Sequence, residues 1–377
     1  MHWFLTIFLL LYGGINYYFF RKVHLAWPGN RDVMIVAAFF CLLMVAAPVT
    51  VRFLERDGHV RLARLSALVG HNWMALVFWF AIVAALADLW NAGARFAGRW
   101  SPGAAGCALT PRASLAVCVL IVLVAAGCAL YGASAIRIKT VTFKTPRLAA
   151  GSPPIRLVAV TDLHLSLTLG ESFTRKVAAL VQEARPDIFV SLGDSCDLTF
   201  ARAKPLADIL AGVRAPMGKF AIMGNHEYYG GYRSSMDFLH ACGFTVLRGE
   251  SGEVDGGRLL LAGADDPVAR QMGYTSPDEA VILPAGRDRP LTVLLKHRPE
   301  VSARTRGRFD LQISGHTHGG QIFPFIFVTY LFNPLGPGLH TFDDGSELYV
   351  SRGAGTWGPR MRLFAPPEVT VFVLEGE

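Results

Sequence analysis

The ten residues IRLVAVTDLH, 155–164, decide the reading of the fold. IRLVAV is aliphatic and rich in β-branched side chains, as a strand buried inside a sheet requires. Where it stops, Thr161-Asp162-Leu163-His164 sets a carboxylate and an imidazole two residues apart. In an extended segment, residues i and i+2 project to the same side. Asp162 and His164 are therefore expected to aim into one cavity. The construction recurs downstream. DIFVSL (187–192) runs into Gly193-Asp194-Ser195-Cys196-Asp197, and KFAIM (219–223) into Gly224-Asn225-His226-Glu227. LTVLL (291–295) leads to Lys296-His297, and DLQIS (310–314) to Gly315-His316-Thr317-His318. RLLLAG (258–263), ELYVS (347–351) and VTVFVL (369–374) read as further strands. Between the first two strands, SFTRKVAALVQEARP is an amphipathic helical stretch that Pro186 ends. Strands interleaved with helices predict an α/β domain. In open α/β sheets, ligands gather at the strand C-termini. Five of the seven histidines after residue 154 fall in those positions.

Such a cluster suits a pair of divalent cations. His316 and His318 repeat the spacing of Asp162 and His164, and Asp194, in the tight turn after Gly193, is the natural bridging carboxylate. Mixed oxygen and nitrogen donors favour manganese, iron or zinc over the all-thiolate sites of structural zinc. Two such ions, about 3.5–4 Å apart, activate a water and hold the entering and leaving oxygens of a phosphate ester. Taken singly, each motif has an ordinary structural explanation as a turn, a cap or a satisfied core histidine. The imidazoles in GNHE and GHTH are not needed for turning, and five motifs in this order have no common structural cause.

The order D-x-H, GD-x-x-D, GNHE, H, GHTHGGQ resembles the calcineurin-like metallophosphoesterase superfamily, specifically the bacterial branch that joins the catalytic domain to membrane segments. The resemblance runs from about Ile155 to Leu374 and includes the closing YVSRGAGTWGPRMRLFAPPEVTVFVL. It implies a four-layer α-β-β-α sandwich. It also implies that Asp162, His164 and His318 hold one cation, that Asn225, His297 and His316 hold the other, and that Asp194 bridges them. Hydrolysis would then proceed by metal-activated hydroxide, with His226 as the acid that protonates the leaving oxygen. Imidazole is suited to that work because it titrates near neutral pH. Asp197 and Glu227 would orient the site from behind the ligands.

After GGQ the chain turns apolar, with Phe323, Phe325 and Phe327 in IFPFIFVTYLF. In related sequences a basic residue often stands where Phe323 does. Two readings are open: a loop packed into the core, or a lipid-facing lip beside the site, since large exposed apolar patches mark contact surfaces. Arg352, Arg360 and Arg362, near the C-terminal glycines, are candidates for bidentate phosphate binding.

The 377 residues are 52% hydrophobic and only 17% charged, where about 25% charged is usual for a soluble domain. The excess apolar content lies before residue 137. Four stretches, 3–20, 33–51, 66–87 and 113–136, approach or exceed the roughly 20 residues that cross a bilayer. The first fits a signal peptide poorly: no basic residue precedes it, and Tyr17 to Phe20 occupy the cleavage region. His71, Asn72 and Asp88 fall toward the ends of the third stretch, as interfacial residues do, and the stretches show no buried charge pair. The expected organisation is therefore a four-helix transmembrane bundle (1–137), a linker (138–154) and the phosphoesterase domain (155–377). Flanking lysines and arginines number eight on the side bearing both termini and six on the other, which favours a cytoplasmic catalytic domain on a bacterial inner or cell membrane. The formal charge of +7 is scattered and largely flanks the spans, so it argues for membrane topology rather than a nucleic-acid partner. The six cysteines suggest no disulfide framework. Together these features predict a membrane-anchored phosphoesterase for a phosphorylated, lipid-linked substrate. A phosphodiesterase for soluble nucleotides is the alternative within the class, and a transporter or sensor with a regulatory domain is the alternative outside it.

Overall fold

The structure, a computed structural model, describes residues 2–286 and 288–377, which divide into two compact units. One unit contains the described residues up to Tyr131 together with Gly358–Met361; the other is Gly132–Trp357 with Arg362–Glu377.

The first unit is helical: α1 (His2–Ala26), α2 (Arg31–Arg56), α3 (Val60–Ala97), the short α4 (Pro102–Ala105) and α5 (Pro111–Ser134). Asn30 starts α2 by accepting from the Val33 N–H at 3.1 Å, as a helix cap does. Among the described residues, three helices, α2, α3 and α5, are long and apolar enough to cross a membrane. The sequence suggests four. α1 has the length, at 25 residues, and carries Asn16, Arg21 and Lys22 in its second half. Those polar groups are not idle. Lys22 Nζ pairs with Asp88 Oδ1 on α3, Tyr18 Oη donates to Asp88 Oδ2 at 2.7 Å, and Trp73 Nε1 donates to Asn16 Oδ1 at 2.9 Å. Lys22 is buried while Asp88 stays half exposed, so the pair ties α1 to α3 without being a buried charge pair.

The second unit is built on two six-stranded sheets. Its strands are β1 (Arg137–Thr145), β2 (Ile155–Val160), β3 (Ile188–Leu192), β4 (Lys219–Ile222), β5 (Thr245–Val246), β6 (Glu250–Val254), β7 (Leu259–Gly263), β8 (Leu291–Leu295), β9 (Leu311–Ser314), β10 (Gly338–Thr341), β11 (Glu347–Val350) and β12 (Glu368–Gly376). Its helices are α6 (Glu171–Glu183), α7 (Phe200–Ala211), α8 (Asn225–Gly230), α9 (Tyr232–Ala241), α10 (Pro267–Gln271), α11 (Glu279–Ile282) and α12 (Ile326–Phe332). The first sheet is ordered β1-β12-β2-β3-β4-β5 and the second β10-β11-β9-β8-β7-β6. Strands β2 to β5 are mutually parallel, as are β7, β8, β9 and β11.

Parallel sheets are covered on both faces, which is why β3 and β8 read as unbroken apolar runs and are buried throughout. Leu157, Ile188, Val190, Leu261, Val293 and Ile313 meet in the core between the sheets. A second core, with Val177 and Val181 of α6 and Leu206 of α7, covers the outer face of the first sheet. A smaller cluster around Ile282 of α11, Leu294 and Phe309 packs beside the second. Residues 137–145, read from sequence mostly as linker, form β1, which runs parallel to β12 from Arg137↔Glu368 to Thr145↔Gly376.

Candidate metal centre

Five strands, β2, β3, β4, β8 and β9, end in the motifs that the sequence singles out, and their side chains converge. The mechanism of convergence differs from expectation. Asp162 and His164 do not lie in extended chain: their φ angles are 54° and 43°. Asp194 (52°), His316 (71°) and His318 (49°) share that left-handed region. A non-glycine residue there costs on the order of 1–3 kcal/mol and persists only when its surroundings impose it. Here neighbouring turns impose it on one another. Asp162 N–H donates to Gly193 O at 3.1 Å, His164 N–H to Asp194 O at 3.0 Å, and Gly355 N–H to Asp162 O at 3.0 Å. Gly224 allows a close approach: a Cβ there would strike Asp194 Oδ1 and lie 2.9 Å from both Asp194 N and His297 Cδ2.

Among the described residues, the candidate ligand atoms form two adjoining triads, Asp162–His164–His318 and Asp194–His297–His316, and a third group, His164–Asp194–His226, that overlaps both; in each the atoms lie within 4.8 Å of one another. His164 Nε2 lies 3.1 Å from His318 Nε2, which is 3.5 Å from Asp162 Oδ1. His297 Nε2 lies 3.2 Å from Asp194 Oδ2 and 3.2 Å from His316 Nδ1. Asp194 Oδ2 is also 3.7 Å from His164 Nε2, so this one carboxylate reaches both triads. The outer nitrogens are occupied. His297 Nδ1 donates to Leu192 O at 2.8 Å, and His164 Nδ1 to Asp197 Oδ2 at 3.1 Å. In the neutral rings these bonds leave bare Nε2 lone pairs aimed at other lone pairs, an arrangement that a cation resolves. Asn225 Oδ1 is buried without a hydrogen-bond partner, between Gly224 and His226, both of which touch Asp194. The donor set therefore fits two borderline divalent ions. The neighbouring thiol is not part of it: Cys196 is buried, bonded to Leu165 O at 3.4 Å, and burial pushes its pKa up.

The charge pattern agrees. Burial opposes charge on His164 and His297, yet the carboxylates of Asp197, Asp194 and Asp162 raise His164 to about 9, and Asp194 and Asp162 raise His297 to about 10. Burial opposes ionisation of Asp194 too, but His297 and the other imidazoles hold it well below the usual carboxylate range. His316 falls to about 3 through burial and the His297 charge. Without cations the protein thus fills the site with protons on two rings.

His226 stands at the open edge. Its backbone N–H donates to Asp194 Oδ1 at 2.9 Å, and its Nδ1 pairs with Asp197 Oδ1 at 2.9 Å. Asp197 therefore holds His226 and His164 together, and both rings keep its carboxyl low against the opposing effect of burial. Glu227 is buried and accepts from the N–H groups of Asp194 (2.8 Å), Ser195 (2.6 Å) and Gly224 (2.8 Å), which fixes the turn that carries Asp194.

The three candidate arginines separate. Arg352 is half-buried, its Nη1 paired with Glu368 Oε2 at 3.2 Å. Arg360 lies with the helical unit, its backbone N–H donating to Asn72 Oδ1 at 2.9 Å. Arg362 is sealed in the core. Its guanidinium donates to the carbonyls of Gly355, His318, Ala365 and Arg352 at 2.8–3.2 Å. Arg362 is therefore no phosphate clamp but a brace for the segment bearing His318. Phe323, Phe325 and Phe327 are exposed rather than packed into the core, and α12, which carries Phe327, buries none of its residues.

Sequence reasoning missed Trp357, whose exposed ring lies 6.2 Å from that of His226, edge to face. Gln321 exchanges two hydrogen bonds with its backbone, at 2.9 and 3.0 Å. The Gln in GGQ was the available signal for that contact; nothing marked the tryptophan, 131 residues from His226.

An α/β sandwich with two adjoining nitrogen–oxygen triads at its strand ends defines a class: the two-metal hydrolases. Residues 155–320 match the profile of the Calcineurin-like phosphoesterase family. A metallophosphoesterase of Aquifex aeolicus is 37% identical over 247 residues, 64% of this chain and 93% of that protein. One from Campylobacter jejuni is 35% identical over 242 residues, 64% of this chain and 63% of its own length. A zebrafish transmembrane protein with a metallophosphoesterase domain is 30% identical over 273 residues, 68% of this chain and 62% of its own. The chain belongs to the calcineurin-like metallophosphoesterases, metal-dependent hydrolases of phosphoric esters.

Proposed function

We propose that this protein is a membrane-anchored phosphoesterase that hydrolyses a phosphate ester or pyrophosphate bond in a lipid-linked substrate. One observation carries the reading: two ligand triads share the Asp194 carboxylate, with an unpaired Asn225 Oδ1 beside it. Asp162, His164 and His318 would hold one ion, Asn225, His297 and His316 the other, and Asp194 both; manganese, iron or zinc suits these donors. Bound there, the ions would offset phosphate charge and acidify a water. His226, its Nδ1 engaged by Asp197, presents Nε2 as the atom that protonates the leaving oxygen. Glu227 keeps Asp194 in place through its three backbone bonds.

Membrane attachment is supported by α2, α3 and α5 and by relatives named as transmembrane proteins. α1 serves as a fourth span, with Lys22 neutralised by Asp88. The chain then crosses the bilayer an even number of times and leaves the catalytic domain in the cytoplasm, on the side richer in loop arginine and lysine. Exposed Phe323, Phe325 and Phe327 favour contact with lipid.

The full chain in lipid nanodiscs, supplied in turn with manganese, iron and zinc, should hydrolyse an aryl phosphodiester. Membranes incubated with it should lose a phosphorylated lipid by mass spectrometry. Turnover confined to soluble nucleotides would remove the lipid assignment. Absence of turnover with every ion would remove the hydrolytic one.

A further inference from the structure

Beside the metal centre lies a cavity of about 160 Å³. Phe323, Ile326, Tyr330, Leu363 and Phe364 line it, together with Arg352. Its floor is Gly319, the residue after His318. Gly319 has φ +60°, and a Cβ there would stand 3.1 Å from Arg352 Cγ and 3.4 Å from Pro337 Cγ. The glycine therefore lets the Arg352 stem and Pro337 pack close against the GHTH turn beside the cavity. Backbone bonds fix the two walls to each other: Leu363 N–H donates to Gln321 O at 2.9 Å, and Phe323 N–H to Leu363 O at 3.3 Å.

We infer that this cavity receives the hydrocarbon chain of an anionic amphiphile whose phosphate sits at the metal centre. The inference rests on the phosphoesterase reading and specifies the substrate class at that same site. Three observations support it. Phe323, Ile326, Tyr330, Leu363 and Phe364 contribute aromatic and aliphatic side chains, while Arg352, whose stem lies against Gly319, supplies charge and polar surface where a phosphate-bearing head would lie. The volume is well below the roughly 300–1,000 Å³ of pockets that enclose whole drug-sized ligands, so it suits a segment of a chain rather than a whole ligand. The remainder of a longer chain has a surface to follow, because the mouth is rimmed by Phe364 (80% exposed) and α12 continues outward through Leu331 and Phe332 (79% each). Phe364 and Phe323 touch edge to face with ring centroids 5.5 Å apart, so the rim is continuous with the wall.

The test compares dodecyl p-nitrophenyl phosphate with ethyl p-nitrophenyl phosphate, using the full chain in nanodiscs with manganese. Wild type should favour the dodecyl ester in kcat/KM. Leu363→Trp, which fills the cavity, should cut the dodecyl-to-ethyl ratio by about tenfold or more, through KM. Partitioning of the long ester into the nanodisc is common to wild type and variant and cancels in that comparison. Ile326→Trp, scored the same way in protein that retains wild-type metal content, guards against a misfolded first variant. Ethyl ester turnover with no chain preference, or a parallel loss on both esters in both variants, would overturn the cavity assignment and leave the phosphoesterase standing. If neither ester turns over with manganese, iron or zinc, the phosphoesterase reading fails, and direct binding decides the cavity. Dodecyl phosphate binding more tightly than ethyl phosphate in wild type, but not in Leu363→Trp, would uphold it; equal binding would sink it.

Discussion

Asp194 and His226 are three-dimensional neighbours with different tasks, and single substitutions separate them. Asp194 Oδ2 approaches His297 Nε2 at 3.2 Å and His164 Nε2 at 3.7 Å, so Asp194→Asn removes a negative charge shared by both ligand sets. Turnover should vanish and bound metal should fall in elemental analysis; an active variant would show that the bridging role is wrong. His226 offers no more than an edge to the cluster, with Nδ1 spent on Asp197. His226→Ala should keep near-normal metal and slow hydrolysis by about 10²–10⁴-fold, the range for a lost general acid, and least for esters with good leaving groups. Loss of metal would instead make His226 a ligand, a geometry its place beside His164 and Asp194 permits. At this scale the sequence names the donor groups of both triads, because donor chemistry belongs to the side chain itself. It misjudges Arg362, because enclosure by the carbonyls of Gly355, His318, Ala365 and Arg352 depends on residues that meet only in the fold.

At the scale of elements, the strands most visible in sequence are the aliphatic ones buried on both faces: β2, β3, β7, β8 and β9. β1, β5, β6 and β10 escape notice. RIKTVTFKT in β1 mixes lysine and threonine with three apolar residues, the pattern of an edge strand protected by charge, which resembles a linker when read alone. Its pairing has a consequence. A fragment spanning residues 150–377 lacks β1 and exposes the β12 edge along nine residue positions. That fragment should unfold at lower temperature and aggregate more readily than one spanning residues 134–377, as measured by thermal scanning and light scattering. Equal stability would mean that the β1–β12 ladder contributes little. The turns at the strand ends were legible as turns but not as left-handed ones. Periodicity predicts the side on which Asp162 and His164 emerge; it carries no information on φ, which the Gly193, Asp194 and Gly355 backbones impose.

For the whole molecule, metal binding and protonation are linked. In the metal-free protein His164 stays protonated up to about pH 9 and His297 up to about pH 10, and each must lose its proton to become a ligand. Loading the centre at pH 7 should therefore release protons, and apparent metal affinity should climb with pH until it levels off near the upper of those values. The same shifts make protonation stabilising in the metal-free fold. That contribution is whole below about pH 6.5, the ordinary histidine value, and is lost as pH rises through about 9 to 10. Titration in weakly buffered solution would detect the protons, and their absence would exclude these two rings as ligands. The sequence by itself determined the class of the molecule: a two-metal phosphoesterase domain behind a strongly apolar helical segment. Both are composed of local facts, namely which residues follow each strand and how long each apolar run is. Tertiary structure alone decided that Lys22 finds Asp88, that α12 remains exposed, that Trp357 meets His226 edge to face, and that Gly319 borders a cavity. Each of these depends on contacts between residues far apart in the chain, and burial and direction exist only once those contacts have formed.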